Sequence, residues 1–244
     1  MPEEGAVEET PVATGVLGAA DAPAAARRYD AVLGPSELLP DRPFTDPKLT
    51  HVDALIMADM LGRERALARA WLAGTGGFPA GIARRIEISP RQLLSVPDSQ
   101  ALCDARDVTA VGFFGHLRDG VDHDVLFELE RRVSETFPSF ARYGLLSYFD
   151  LGLEHGRYGN LIVFGTPDVP REWHANPAHG AAIAAAPLHY EWVRLHKGRI
   201  DGPFLDGDKL RLARTLYLDF SGQSTWHAVR HYEAGAGRAE PRHR

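Results

Sequence analysis

Cysteine is almost missing from this sequence. A single thiol, Cys103, in 244 residues excludes a disulfide framework and a multi-thiolate metal site alike, and it fits a reducing compartment. No apolar run approaches the roughly 20 residues that a membrane-spanning helix needs, so no membrane partner is expected. The opening stretch MPEEGAVEET is acidic and lacks the basic-then-apolar order of a signal peptide, which points to a cytoplasmic location. The glycines of GTGGFPAG (74–81) are followed by no Lys-Ser/Thr pair, so they read as a loop rather than a phosphate cradle. Ser-His-Asp elbows and zinc-type Cys motifs are also lacking.

Clustered positive charge is scarce as well. The net charge is −6, and residues 1–48 hold nine acids against four bases, which leaves the remaining chain near −1. A near-neutral body without a basic stripe argues against a nucleic-acid partner, because phosphate contacts need grouped Lys and Arg.

What is present divides the chain into four parts. Residues 1–26 contain eight alanines, three prolines and no aromatic residue, too little apolar surface to offset the entropy of ordering. The stretch 1–48 is therefore read as an acidic, Ala/Pro-rich tail, largely disordered. Residues 49–106 read as a helical segment. THVDALIMADMLGRERALARAWLA (50–73) repeats Leu55, Ala58, Met60/Leu61, Leu67 and Trp71 at helical spacing behind Thr50 as N-cap, and 89–106 reads as short helices. Cys103 reads as a small buried apolar residue. Residues 107–232 read as an α+β domain and 233–244 as a flexible tail.

Within 107–232 the spacing predicts a strand at VTAVGFFGHL, a helix after His123 with Gly144 as its stop, and two strands around a GRYG turn. A second helix opens at Asn176-Pro177 and ends at Pro187, and two alternating strands follow, HYEWVRLHKGRI and KLRLARTLYLDF. The order β-α-β-β-α-β-β is the split βαβ plan with one strand added.

Parity sorts the side chains of the last two strands. Leu210, Leu212, Leu216, Leu218 and Phe220 share one face, which is expected to meet the helices. The opposite face gathers Tyr190, Trp192, Arg194, His196, Thr215, Tyr217 and Asp219. Aromatic walls with a few convergent polar groups suit a small-molecule pocket. In that reading His196 is a general base, Asp219 orients it, Arg194 holds an anionic group and Tyr217 donates a hydrogen bond, while Tyr190, Trp192 and Thr215 contact the ligand. The same cross-strand pairs also stabilise ordinary sheets. His227 and His231, four residues apart, would share one face of a helix.

The element order, with EWHANPAH opening the second helix and Trp173 shortly before His179, resembles the dimeric α+β barrel superfamily and its antibiotic-biosynthesis-monooxygenase-like members. The resemblance spans about residues 107–232. It implies a ferredoxin-like βαββαβ half-barrel, a homodimer formed through the bare sheet face, and Trp173 at the ligand. By resemblance the activity would be that of a small-molecule enzyme, an oxygenase or monooxygenase acting on an aromatic or polycyclic metabolite. The superfamily includes both cofactor-free oxygenases and haem-degrading enzymes, so the resemblance fixes no cofactor: none, unknown, or haem. The alternatives are a haem-binding or haem-degrading protein ligated through His179, and a non-catalytic ligand-binding or assembly protein.

Overall fold

The structure is a computed structural model that describes residues 29–78, 84–89, 92–207 and 209–232. The expected disorder of residues 1–26 and the tail 233–244 lie outside the described residues. The fold is mixed α+β, built on one nine-stranded sheet.

In chain order the strands are β1 (Ala31–Leu33), β2 (Arg84–Ser89), β3 (Gln92–Val96), β4 (Arg106–Leu117), β5 (Leu145–Gly152), β6 (Arg157–Phe164), β7 (Tyr190–Pro203), β8 (Arg211–Asp219) and β9 (Trp226–His231). The helices are α1 (Pro47–Leu72), α2 (Ser99–Asp104), α3 (His123–Ser134), α4 (Phe137–Phe140), α5 (Arg171–His174) and α6 (Pro177–His189). The sheet runs β1-β9-β8-β7-β4-β6-β5-β3-β2. Only β1 and β9 pair in parallel; the other neighbours are antiparallel.

Several sequence readings need correction. Residues 29–46, assigned to the tail, supply β1 and a 3-10 turn at Pro43–Thr45 that packs Phe44 into the interior. The segment 49–106 is not wholly helical, because β2 and β3 form a hairpin that extends the sheet beyond β5. Residues 226–231 are a strand, so His227 and His231 lie about 13 Å apart along it, with the buried Val229 between them, rather than on one helix face. Pro187 does not end α6, which continues to His189.

Helix α1 begins one turn earlier than its sequence suggests. Asp46 caps it, accepting from the Lys48 amide at 2.8 Å, and Pro47 fills the first helical position. Its buried stripe is Thr50, Asp53, Met57, Met60, Leu61, Glu64 and Ala68, while Leu55 is 58% exposed. Three of those inward residues are polar, which is why apolar periodicity alone assigns the wrong face. The helix lies on the sheet above β4, and Gly112 is the closest approach: a Cβ there would meet the Met57 sulfur at 2.5 Å. Met57, Met60, Leu61 and Ala68 pack with Leu94, Ala110, Phe114, Phe149 and Val163 as the largest core cluster. Burial of this kind contributes roughly 25 cal/mol for each Å² of apolar area removed from water.

The opposite face carries α3 and α6. Val133, Phe137, Phe140 and Trp173 cluster there over Tyr148, Ile162 and Phe164. Ala186 and Tyr190 meet Val193, Leu216 and Leu218. Both faces of the sheet are thus covered within one chain. The bare face that made a sheet-to-sheet homodimer an expectation is occupied by α1 and residues 29–46. Among the described residues no helix is long and apolar enough to cross a membrane.

Candidate functional site

The polar residues singled out by parity do come together, but under α1. Arg194 Nε and Nη2 donate to Asp53 Oδ2 and Oδ1 at 2.6 and 3.0 Å, a bidentate pair between β7 and α1. His196 Nε2 lies 2.8 Å from Asp53 Oδ2, and His196 Nδ1 lies 2.8 Å from Thr215 Oγ1. An ionised carboxylate only accepts, so Nε2 carries the imidazole proton and Nδ1 accepts from Thr215. Burial works to raise the Asp53 pKa, yet hydrogen bonds from His196 and Arg194 outweigh it and hold the carboxyl below its ordinary range. Burial likewise depresses His196, against the opposing pull of Asp53, and leaves it neutral.

Tyr217 belongs to the same layer. Its hydroxyl sits 3.1 Å from Thr50 Oγ1 and accepts from Arg230 Nη1 at 2.5 Å. Arg230 also donates to the carbonyls of Gly34, Glu37 and Thr45, tying residues 29–46 to the sheet. Trp192 stacks on Phe44 at 5.4 Å and lies against the Arg194 guanidinium. Arg194, His196, Thr215, Tyr217 and Arg230 are at most 1% exposed. This is a clamp, with its donors and acceptors spent on one another. Asp219 stands apart from it: Asp219 pairs with Arg42 at 3.1 Å and caps Ser221, and the carboxylate that orients His196 is Asp53.

Space for a ligand lies on the other side of the sheet. A cavity of about 190 Å³ opens between α3, α6 and strands β4 to β8. Its cause is legible in α6, PAHGAAIAAAPLH, which meets the sheet through Ala182, Ile183 and Ala186. Methyl side chains stand too short to fill the gap that a Leu or Phe would close. Three residues expected at the ligand are in this wall: Trp173, Tyr190 and His179. Tyr190 reaches it because the β4–β7 register shifts between His116 and Leu117, which turns Tyr190 to the face opposite Trp192. There it makes an edge contact with Phe113 at 5.2 Å. His196 reaches the cavity only through its main chain, since Asp53 and Thr215 hold its ring on the far face.

The polar part of the wall was not singled out by sequence. Tyr158 donates to Asp150 Oδ1 at 2.5 Å and lies 3.2 Å from Glu130 Oε2. Burial, then the Asp150 and Glu130 charges, push the Tyr158 phenol well above the usual tyrosine range, so it stays protonated. Tyr148 is raised by burial and the same two carboxylates, and its hydroxyl accepts from Asn160 Nδ2 at 2.8 Å. Asn160 is 7% exposed, and its Oδ1 has no hydrogen-bond partner among the described residues. A buried acceptor without a donor costs on the order of 1–3 kcal/mol. At the other end His179 Nδ1 lies 3.2 Å from the Trp173 carbonyl, to which it donates. Burial, then the neighbouring His174, lower His179 to about 4, so the ring is neutral at physiological pH.

Among the described residues no three His, Cys, Asp or Glu side chains converge to hold a metal ion. Cys103 is buried, and burial raises its thiol pKa, as suits a small core residue. The chain matches no protein-family model, no curated protein and no solved structure.

Proposed function

We propose that this protein is a small-molecule enzyme whose ligand occupies the cavity beneath α6, and that β4–α3–β5–β6–α6–β7 forms a ferredoxin-like unit of the dimeric α+β barrel type. The spatial order β7-β4-β6-β5, all antiparallel, with α3 and α6 as crossovers, supports the second statement. The observation that carries the first is Asn160 Oδ1, a buried acceptor with no hydrogen-bond partner among the described residues, in the wall of a mostly apolar cavity.

Size limits the ligand. A cavity of about 150 Å³ holds one benzene ring, and this one is about 190 Å³. A compound of one aromatic ring fits a space of that size. His179 has the tautomer a metal ligand needs, with Nδ1–H given to a carbonyl. The Glu130–Tyr158–Asp150 group supplies acid–base chemistry: Tyr158 presents a proton, and the carboxylates beside it can receive one. An oxygenase acting on a monocyclic aromatic would bind and deprotonate its substrate here, and the cavity is complete within one chain.

Calorimetric titration with phenol tests this reading. Phenol, which can donate to Asn160 Oδ1, should bind at least tenfold more tightly than toluene, and Asn160→Leu should abolish the difference. No binding of phenol at millimolar concentration, or equal binding of the two rings, would overturn it.

A further inference from the structure

The end of the cavity away from Asn160 is walled by Lys197 on β7 and Arg214 on β8. The two are direct cross-strand partners, and Arg214 is in turn opposite His231 on β9. Two residues along β7, past the Gly198–Leu212 pair, Arg199 faces Arg211. Like charges placed directly opposite each other weaken a sheet, yet this one carries two such rungs. Asp168, which is 65% exposed, pairs with Lys197, and Asp201 pairs with Arg211.

Helix α6 adds to the same potential. It is the crossover into β7, so it runs back along that strand. Its 13 residues cover about 20 Å, the length of roughly six strand residues, which sets its N-terminus above Leu195–Lys197. His179 in its first turn and Lys197 are both in the cavity wall. A helix N-terminus favours an anion. Asn160 stands at the opposite end. The register runs Asn160–Phe113–Leu195 across one row and Ile162–Val111–Lys197 across the next. Asn160 and Lys197 are thus two strands and two residues apart, about 12 Å between Cα atoms. Both residues line the cavity, and the span between them is that of one substituted ring.

We infer that the ligand is a small hydroxylated aromatic carboxylate, its hydroxyl donating to Asn160 Oδ1 and its carboxylate held by Arg214 and Lys197 beneath the N-terminus of α6. The inference rests on the cavity reading above and assigns that site its substrate class. Arg214 and Lys197 are its specificity residues, and neither enters the acid–base group at Tyr158.

The test compares 4-hydroxybenzoate with phenol by calorimetric titration of the full chain. 4-Hydroxybenzoate should bind at least tenfold more tightly, and Arg214→Gln or Lys197→Met should each reduce that advantage several-fold while leaving phenol affinity unchanged. Both cations are partly exposed, so both variants should fold, and a melt of each confirms it. Phenol bound as tightly as 4-hydroxybenzoate would overturn the anion subsite and leave the cavity reading standing. A preference for the acid that survives both substitutions would also overturn it. Binding of neither compound would overturn both readings.

Discussion

The two faces of the sheet bury opposite kinds of surface. Beneath α1 lie two arginines, a histidine and an aspartate at 1% exposure or less, all with partners. Beneath α6 lies an apolar wall with one acceptor unanswered and room for a ring. Convergent Arg, His, Tyr and Asp side chains look like catalytic equipment in both settings. What separates a clamp from a site is whether the polar atoms have been satisfied by the fold itself.

That contrast can be broken most severely at Asp53. Asp53→Ala leaves Arg194 buried without its carboxylate and removes the partner of His196, so it should destabilise by about 3–5 kcal/mol in a denaturant melt. A loss below 1 kcal/mol would mean that the layer under α1 is open to water and is not a clamp.

Glu64 sharpens the comparison from the same helix, because it is left half-satisfied. Ser147 Oγ donates to its Oε2 at 2.8 Å, while Oε1 has no hydrogen-bond partner among the described residues. Burial pushes its carboxyl up to about 8. The folded state therefore keeps a proton that the unfolded chain releases above its ordinary value of 4.5, and stability is lost as pH rises from 4.5 to 8. Glu64→Gln, which mimics the protonated acid, should stabilise by about 2–3 kcal/mol at pH 7–8 and by little at pH 4.5. Equal effects at both pH values would show that Glu64 is ionised in place.

On the cavity face the sign reverses. His179 is lowered from 6.5 to about 4, so between those values the unfolded chain takes up a proton that the folded state refuses. Stability is complete above pH 6.5 and falls as pH drops toward 4. His179→Leu should remove up to about 3 kcal/mol of that acid-side slope. Urea melts of both proteins at pH 7 and pH 4.5 measure it, and identical slopes would place His179 in water.

Much of the architecture between residues 106 and 220 was legible in the sequence: β4 through β8 and α6 fall where alternation, Asn176-Pro177 and Gly144 place them. Gly144 does adopt the left-handed conformation, with φ 93°, but it closes a 3-10 turn at Ala141–Tyr143, whereas the helix it was expected to stop ends at Ser134. The error at the site came from α1. The apolar repeat through Leu55 and Ala58 gives no place to Asp53 and Glu64, which lie on the buried stripe, and the helix that covers the polar face was left without a position. The cavity had a signal that periodicity does not register. A crossover helix whose inward positions are mostly alanine cannot fill the space over a sheet, and PAHGAAIAAAPLH states that directly. Asn160, Tyr158 and Asp150 alternate quietly within two strands, and only the pairing of β5 with β6 brings them together.

The most direct test of the contrast is phenol binding to two variants, one on each face. Ala182→Leu fills the cavity from α6, whereas His196→Gln perturbs only the clamp. The account predicts that Ala182→Leu abolishes phenol binding in calorimetric titration while its melt stays within about 1.5 kcal/mol of the parent. It predicts that His196→Gln binds phenol with the parent affinity despite an earlier melt. Phenol affinity retained by Ala182→Leu and lost in His196→Gln would contradict it and return the working site to the face beneath α1.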